Sequence, residues 1–321
     1  MNIRQTAGIY FALQSLAVAA WWLTLFFVPD SRAYFRMDNG SDATLLAFWL
    51  PDLLLLVVGS TAASAFCFFD SKLISPAAWF VSGAASYAAL YCLAFSLLTD
   101  SGWLGTTLML PAMLWNGCFA VALSSFKNQM FRTAKEASSG WILAKTAAQI
   151  IFVWSLILLV FPSLIVRLED KLNIARFNFP FQKIIAAVLF VAISLVGLTS
   201  AYTMSRVGRG TPLPLDAASR LVVVGAYRFV RNPMAISGVG QGLAVALFLG
   251  SPLVLIYALM GALIWQFIFR PLEEEDLRAR FGADYESYRR AVRCWLPKRK
   301  SYQIDATAVS SNSIESPSGK M

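Results

Sequence analysis

Two short polar clusters hold the residue types in this chain that could do chemistry. Arg228, Arg231, Asn232 and Pro233 crowd the start of one apolar run, and Glu273, Glu274, Glu275 and Asp276 follow the end of the next. A proline in a first helical turn leaves free N–H groups pointing at whatever precedes it, a place that favours an anion. Arginines beside it add forked donors for a carboxylate or phosphate. Four neighbouring carboxylates repel unless a cation or a hydrogen-bond donor stands nearby. The bland reading of Arg228 and Arg231 is positive flanking of a membrane span. Histidine is absent altogether. That excludes histidine ligands, a histidine base and a Ser-His-Asp triad.

The elements that position these clusters are apolar. The chain has 321 residues, 58% hydrophobic and 14% charged. Soluble domains run nearer half apolar and about a quarter charged, so the composition is that of a membrane protein. A helical crossing needs about 20 apolar residues. Eight runs qualify or nearly so, at roughly 7–28, 43–69, 76–98, 104–124, 140–166, 183–204, 233–249 and 252–270. The expected fold class is therefore all-α, a polytopic integral membrane protein of about eight transmembrane helices. The last two runs meet at Gly250-Ser251-Pro252 and should form a tight antiparallel pair, with Pro252 in the first turn of the eighth. No cleavage site for a signal peptide follows the first run.

The net charge of +9 sits mostly beside the apolar runs, which argues for topology and against nucleic acid. With both termini in the cytoplasm, the inner loops carry Lys72, then Lys127, Arg132 and Lys135, then Arg206, Arg209, Arg220, Arg228 and Arg231, and the tail adds ten more. The outer loops hold Arg32, Arg36, Arg167, Lys171, Arg176 and Lys183. The 205–232 loop and the tail then share the cytoplasmic face, where the two clusters can close one pocket. The membrane type, bacterial inner membrane or endoplasmic reticulum, is left open. The mixed loop 167–182 is expected at the outer interface. Asp52 is expected to cap a helix start after Pro51, and Lys145 to reach the interface by snorkelling. Cys67, Cys92 and Cys118 lie in apolar runs and Cys294 near the end. No CxxC occurs, so neither a structural zinc nor a disulfide framework is expected.

In the first polar segment, Gly208, Gly210, Pro212 and Pro214 demand irregular backbone, Leu221 to Val224 is a short apolar run, and Gly225 and Tyr227 precede the arginines. Glycine permits close approach of backbone to a ligand. Gly238, Gly240 and Gly242 then give the seventh run small residues suited to tight packing or to a flat ligand. In the second segment Leu277, Phe281, Tyr285, Tyr288, Val292 and Trp295 recur at helical spacing, with Gly282 as a possible break. Its bland reading is an amphipathic helix lying on the membrane.

The ordered set GxGTPxP (208–214), GxYRxVRNP (225–233), a helical hairpin, EExxLxxxFGxxYxxY (273–288) and VRCWLP (292–297) resembles the isoprenylcysteine carboxyl methyltransferase family, itself similar to membrane phospholipid N-methyltransferases. The resemblance covers about 183–297. It implies an integral membrane methyltransferase using S-adenosylmethionine on a membrane lipid or on a lipidated or other hydrophobic acceptor, carboxylate or amine. It implies that Arg231, Asn232, Pro233, Glu273 and Glu274 flank the cofactor, with Arg231, Glu273 and Glu274 as catalytic residues. Gly225, Tyr227, Arg228, Gly238 and Tyr285 complete the expected cofactor site. The chain departs from the family pattern at Asn232, often histidine, and at Ala235, often tyrosine. Asparagine both donates and accepts hydrogen bonds. An aromatic face such as Tyr227 or Tyr285 would favour a sulfonium by about 0.5–2 kcal/mol.

The implied organisation is a scaffold over 1–182, a methyltransferase-like membrane domain over 183–300, and a disordered polar tail over 301–321. Two other readings remain open at this point. Membrane sterol reductases share the architecture and use NADPH, whose extra phosphate would suit the five arginines of 206–231. A transporter or scaffold should show broken helices or mid-membrane charges in paired halves, and no such pairing is visible. Metal is not expected, and oligomeric state and acceptor are not legible.

Overall fold

The computed structural model describes residues 2–36, 42–69, 71–124, 138–211, 217–298 and 302. Lys127, Arg132, Lys135, Pro212, Pro214 and nearly all of the expected tail lie outside the described residues.

The fold is all-α, with no strand among the described residues. Seven helices are long and apolar enough to cross a membrane. They are α1 (Ile3–Phe27), α2 (Asp42–Phe68), α3 (Ile74–Thr99), α4 (Trp103–Leu123), α5 (Ser139–Lys171), α6 (Gln182–Val207) and a long last helix, Pro252–Ala291. Between the last two, α7 (Pro233–Leu249) is apolar but only 17 residues long. All eight expected runs are therefore helices, one of them short of the length criterion. We divide the last helix into α8 (Pro252–Ile264), a wide turn over Trp265–Phe269 and α9 (Arg270–Ala291). The apolar crossing ends at Phe269; from Arg270 onward the sequence is polar.

Leucine, valine and phenylalanine point outward along most of these helices, as a lipid solvent demands. The interior is built from small and hydroxylated residues, which let helices approach closely. Gly8 of α1 lies against Cys67 and Phe68 of α2, and Ser64 of α2 donates to the Gly8 carbonyl at 2.8 Å. Asn116, fully buried on α4, donates to Tyr10, Gln14 and its own Ala112 carbonyl, while Gln14 also donates to Ser60. The network ties α1, α2 and α4 together where water is absent and any unmet polar group is costly.

Asp52 does not cap a helix. It sits at the start of a wide-turn segment, Asp52–Val58, and accepts from the indole nitrogen of Trp22 on α1 at 3.0 Å. The loop 167–182 is also more helical than its composition suggests, because α5 runs on through the charged stretch to Lys171.

The foot of the last helix is seated in the N-terminal bundle. Ile264, Ile268 and Leu272 share one core with Ile3, Ala7 and Phe11 of α1, Ala78 and Val81 of α3, and Phe119 of α4. The hairpin α7–α8 is held on its other side by α6. Ser237 donates to the Ile193 carbonyl at 2.9 Å, Gln241 donates to Ser194 at 2.8 Å, and Gly240 packs on Ile193. Gly242 packs on Ala258 of α8. Two of the three glycines of α7 thus serve helix packing, and only Gly238 faces open space.

Candidate functional site

The start of α7 is fixed by its own sequence. Asn232 is the N-cap, its Oδ1 accepting from the Ala235 N–H at 3.1 Å, and Pro233 fills the first helical position, where its missing N–H costs nothing. The same Asn232 reaches across to the second cluster: its Nδ2 donates to Oε2 of Glu273 at 2.9 Å. No protein donor reaches the other carboxylate oxygen of Glu273 among the described residues.

Glu274 lies one residue further round α9 and is bound by a different set. Its Oε1 accepts from Nη1 of Arg231 and from Nε of Arg270, both at 2.9 Å. Its Oε2 has Arg289 at 3.7 Å and Arg278 at 3.8 Å. The Arg231 and Glu274 side chains are only 10% and 13% exposed, so this is a desolvated ion pair within a network. Nη1 of Arg231 also lies 3.3 Å from the Tyr285 hydroxyl, and its main-chain N–H donates to the Arg293 carbonyl at 3.0 Å. Its Nε is buried without a partner among the described residues.

The adjacent glutamates consequently differ. Burial pushes the Glu273 carboxyl up to about 7, with Glu274 and Asp276 adding to the rise and Arg231 and Asn232 opposing it. Burial acts against ionisation of Glu274 as well. There the hydrogen bond from Arg270 and the charges of Arg231 and Arg270 outweigh it and hold the carboxyl below the usual range. One carboxylate is a fixed structural charge and its neighbour titrates near neutrality.

The apolar stripe of α9 packs on protein. Tyr285, Tyr288 and Val292 pack with Val223 in a core flanked by Leu221, Leu277 and Phe281. The short apolar run 221–224 is thus the partner the stripe covers. Gly282 (φ 48°, ψ −122°) breaks the helix between Phe281 and Tyr285, a conformation open to glycine at little cost. Trp295 leaves the stripe, stacking edge-on against Trp265 and donating to Gln266 at 2.6 Å. Main-chain bonds complete the join: Lys298 donates to the Phe229 carbonyl, Tyr302 to that of Arg228, and the Tyr288 hydroxyl to that of Tyr227 at 2.6 Å.

Of the expected site residues, the structure brings together Arg231, Asn232, Pro233, Glu273, Glu274 and Tyr285. Tyr227 lies near Glu273, 4% exposed, its hydroxyl buried without a partner among the described residues. Gly225 takes a positive φ of 62° at the turn before it. Arg228 is exposed and enters only through its carbonyl, and Gly238 lies more than one turn along α7. The expected close approach of backbone at Gly210 is to the chain itself: a Cβ there would stand 2.5 Å from the nitrogen and Cα of Ala218. Sequence reasoning missed Arg289 as a neighbour of Glu274, and it read Tyr288 only as part of a stripe. The one available signal was the four-carboxylate cluster, which required cations without naming them.

Residues 181–284, about a third of the chain, match the family model described as phospholipid methyltransferase. The matched segment begins with α6, contains the whole Arg231-Asn232-Pro233 and Glu273-Glu274 arrangement, and ends just past Gly282. It agrees with the expected relation of the C-terminal third to that group of enzymes. Comparison with curated proteins gave no match, and neither did comparison with solved structures.

Proposed function

We propose that the chain is a multi-pass membrane methyltransferase that takes its methyl group from S-adenosylmethionine and gives it to a lipid or similarly hydrophobic acceptor. The observation that carries the reading is the pairing of the two clusters inside the segment that matches the phospholipid methyltransferase model.

The residues present fit such a cofactor. Arg231 holds a buried, unpartnered Nε suited to a carboxylate, and Glu273 holds a carboxylate oxygen free of protein donors, suited to ribose hydroxyls or an amine. Tyr227 keeps an unbonded hydroxyl in the same region. When bound, S-adenosylmethionine supplies an electrophilic methyl on a sulfonium with a good leaving group. The protein's task is then positioning and exclusion of water, and histidine is not required.

Glu274 fixes the Arg231 guanidinium from one side, and the Arg293 carbonyl fixes its backbone. Asn232 fixes Glu273 relative to the first turn of α7. Should the acceptor be an amine, Glu273 is the group able to hold its proton, since its carboxyl titrates near neutrality. Residues 1–182 act in this reading as a scaffold for the foot of the last helix. The face bearing both clusters is the cytoplasmic one, as the distribution of lysine and arginine favours.

Calorimetric titration of detergent-solubilised protein with S-adenosylhomocysteine, and with NADPH in parallel, tests the reading. Binding of S-adenosylhomocysteine alone supports it, and labelled methyl donor with host lipids then finds the acceptor. Binding of NADPH alone moves the same arrangement to a reductase.

A further inference from the structure

A cavity of about 1000 Å³, lined by Glu274 but not by Arg231, lies between α9 and the N-terminal helices. One wall is Gln266, Phe267, Arg270, Glu274, Arg278 and Arg289. The other comes from the beginnings of α1 and α3 and the end of α4, a part of the chain outside the family match. Three features converge there.

First, the charge is unbalanced. Arg4, Lys72, Arg270, Arg278 and Arg289 line the cavity against Glu274 and Glu275, and Glu286, outside the lining, pairs with Arg278 at 2.6 Å and Arg289 at 3.2 Å, so five cations meet three carboxylates. Lys72 forms no hydrogen bond or ion pair among the described residues. Second, two long helices, of 25 and 26 residues, begin at its rim: Asn2, Ile3 and Arg4 open α1, and Ile74 and Ser75 open α3. Their N-terminal dipole ends add positive potential to that of the side chains. Third, the remaining lining is apolar, from Ile3, Ile74, Ala122, Leu123, Phe267 and Pro271, where the membrane crossings end. A concentrated positive site at the mouth of an apolar slot suits a ligand with an anionic head and a greasy tail.

We propose that this cavity is a binding site for a phosphate-bearing amphiphile, with the phosphate held by Lys72, Arg278 and Arg289 and the chains lying along Ile74, Leu123 and Phe267. The assignment stands apart from the methyltransferase reading, because half of the cavity is built by helices the family match does not include. It gives the N-terminal bundle a binding role in addition to support. It also places a second ligand one residue's thickness from the candidate cofactor site, since Arg278 and Arg289 approach the same Glu274 that holds Arg231.

The test uses the full chain in detergent and measures binding of dihexanoyl phosphatidic acid by native mass spectrometry, with dihexanoylglycerol and inorganic phosphate as parallel probes. Phosphatidic acid is expected to bind, to weaken about tenfold in Lys72→Gln, and to be retained in Lys72→Arg, the change expected for loss of one charge-assisted contact. Binding should also fall as salt rises. Equal affinity of wild type and Lys72→Gln overturns the assignment. So does equal binding of dihexanoylglycerol, which would need no basic site. Inorganic phosphate competing at the same affinity also overturns it, as a free phosphate site. S-adenosylhomocysteine binding, measured on the same samples, reports separately on the neighbouring site and on folding.

Discussion

The side chain of Asn232 makes two bonds in opposite directions: Oδ1 caps α7 at Ala235, and Nδ2 holds Glu273 at 2.9 Å. One residue thereby sets both the start of a membrane helix and the orientation of a carboxylate 41 positions away. The two roles are separable. Serine caps as well as asparagine but is too short to reach Glu273. Asn232→Ser should leave the melting temperature in detergent nearly unchanged while weakening S-adenosylhomocysteine binding about tenfold, the worth of one hydrogen bond to a charged group. Asn232→Ala should lose both, with about 1 kcal/mol of stability.

The carboxyl of Glu273, pushed up to about 7, should make binding of the proposed cofactor depend on pH in the physiological range. The ionised form is the stronger acceptor for hydroxyl or amine donors. Affinity for S-adenosylhomocysteine, followed by calorimetry from pH 6 to pH 8, should rise with an inflection near 7. Glu273→Gln should flatten the profile. The sign for stability is the reverse. The folded carboxyl binds its proton more tightly than the unfolded one, so its contribution falls as pH rises from about 4.5 through about 7.

Glu274 behaves oppositely. Its carboxyl is held below its ordinary value of 4.5, so its contribution is present above that pH and is lost as pH falls through the lowered folded value. Glu274→Gln leaves Arg231 and Arg270 without their shared anion and should cost about 3 kcal/mol at pH 7. The gap from wild type, measured by thermal unfolding in detergent, should narrow under acid conditions below pH 4.5.

At the other end of the hairpin, Glu169 is fully buried. Its Oε1 accepts from the Ser251 hydroxyl and the Leu253 N–H, both at 2.7 Å, at the first turn of α8. Gly250 beside it accepts from the Phe177 N–H, and Gln182 donates to the Leu247 carbonyl at 2.6 Å. Glu169→Ala should lower stability by about 2 kcal/mol through the donors it leaves unmet. S-adenosylhomocysteine affinity at low temperature should stay intact, because the candidate site is at the opposite end of α7 and α8. Loss of affinity without loss of stability would contradict that separation.

The sequence by itself determined the placement of the eight apolar helices, seven of them long enough to cross a membrane, because a bilayer demands long apolar runs and tolerates few charges within them. It also determined where α7 and α8 begin, since Asn232-Pro233 and Ser251-Pro252 are local start signals, and where α9 breaks, at Gly282. It marked both polar clusters. Only the tertiary structure decided which residue meets which. The helical stripe of α9 reads the same whether it covers lipid or protein, and it is Val223 and Leu221 that occupy it. Glu273 and Glu274 are alike in type and adjacent in sequence, yet one faces an amide and the other four guanidinium groups. Asp52 met Trp22, and the foot of the last helix met α1, across more than 200 residues. Periodicity and capping act over a few residues of one chain segment. Ion pairs and helix contacts depend on the rotation and depth of helices about one another, which packing of the whole bundle alone sets.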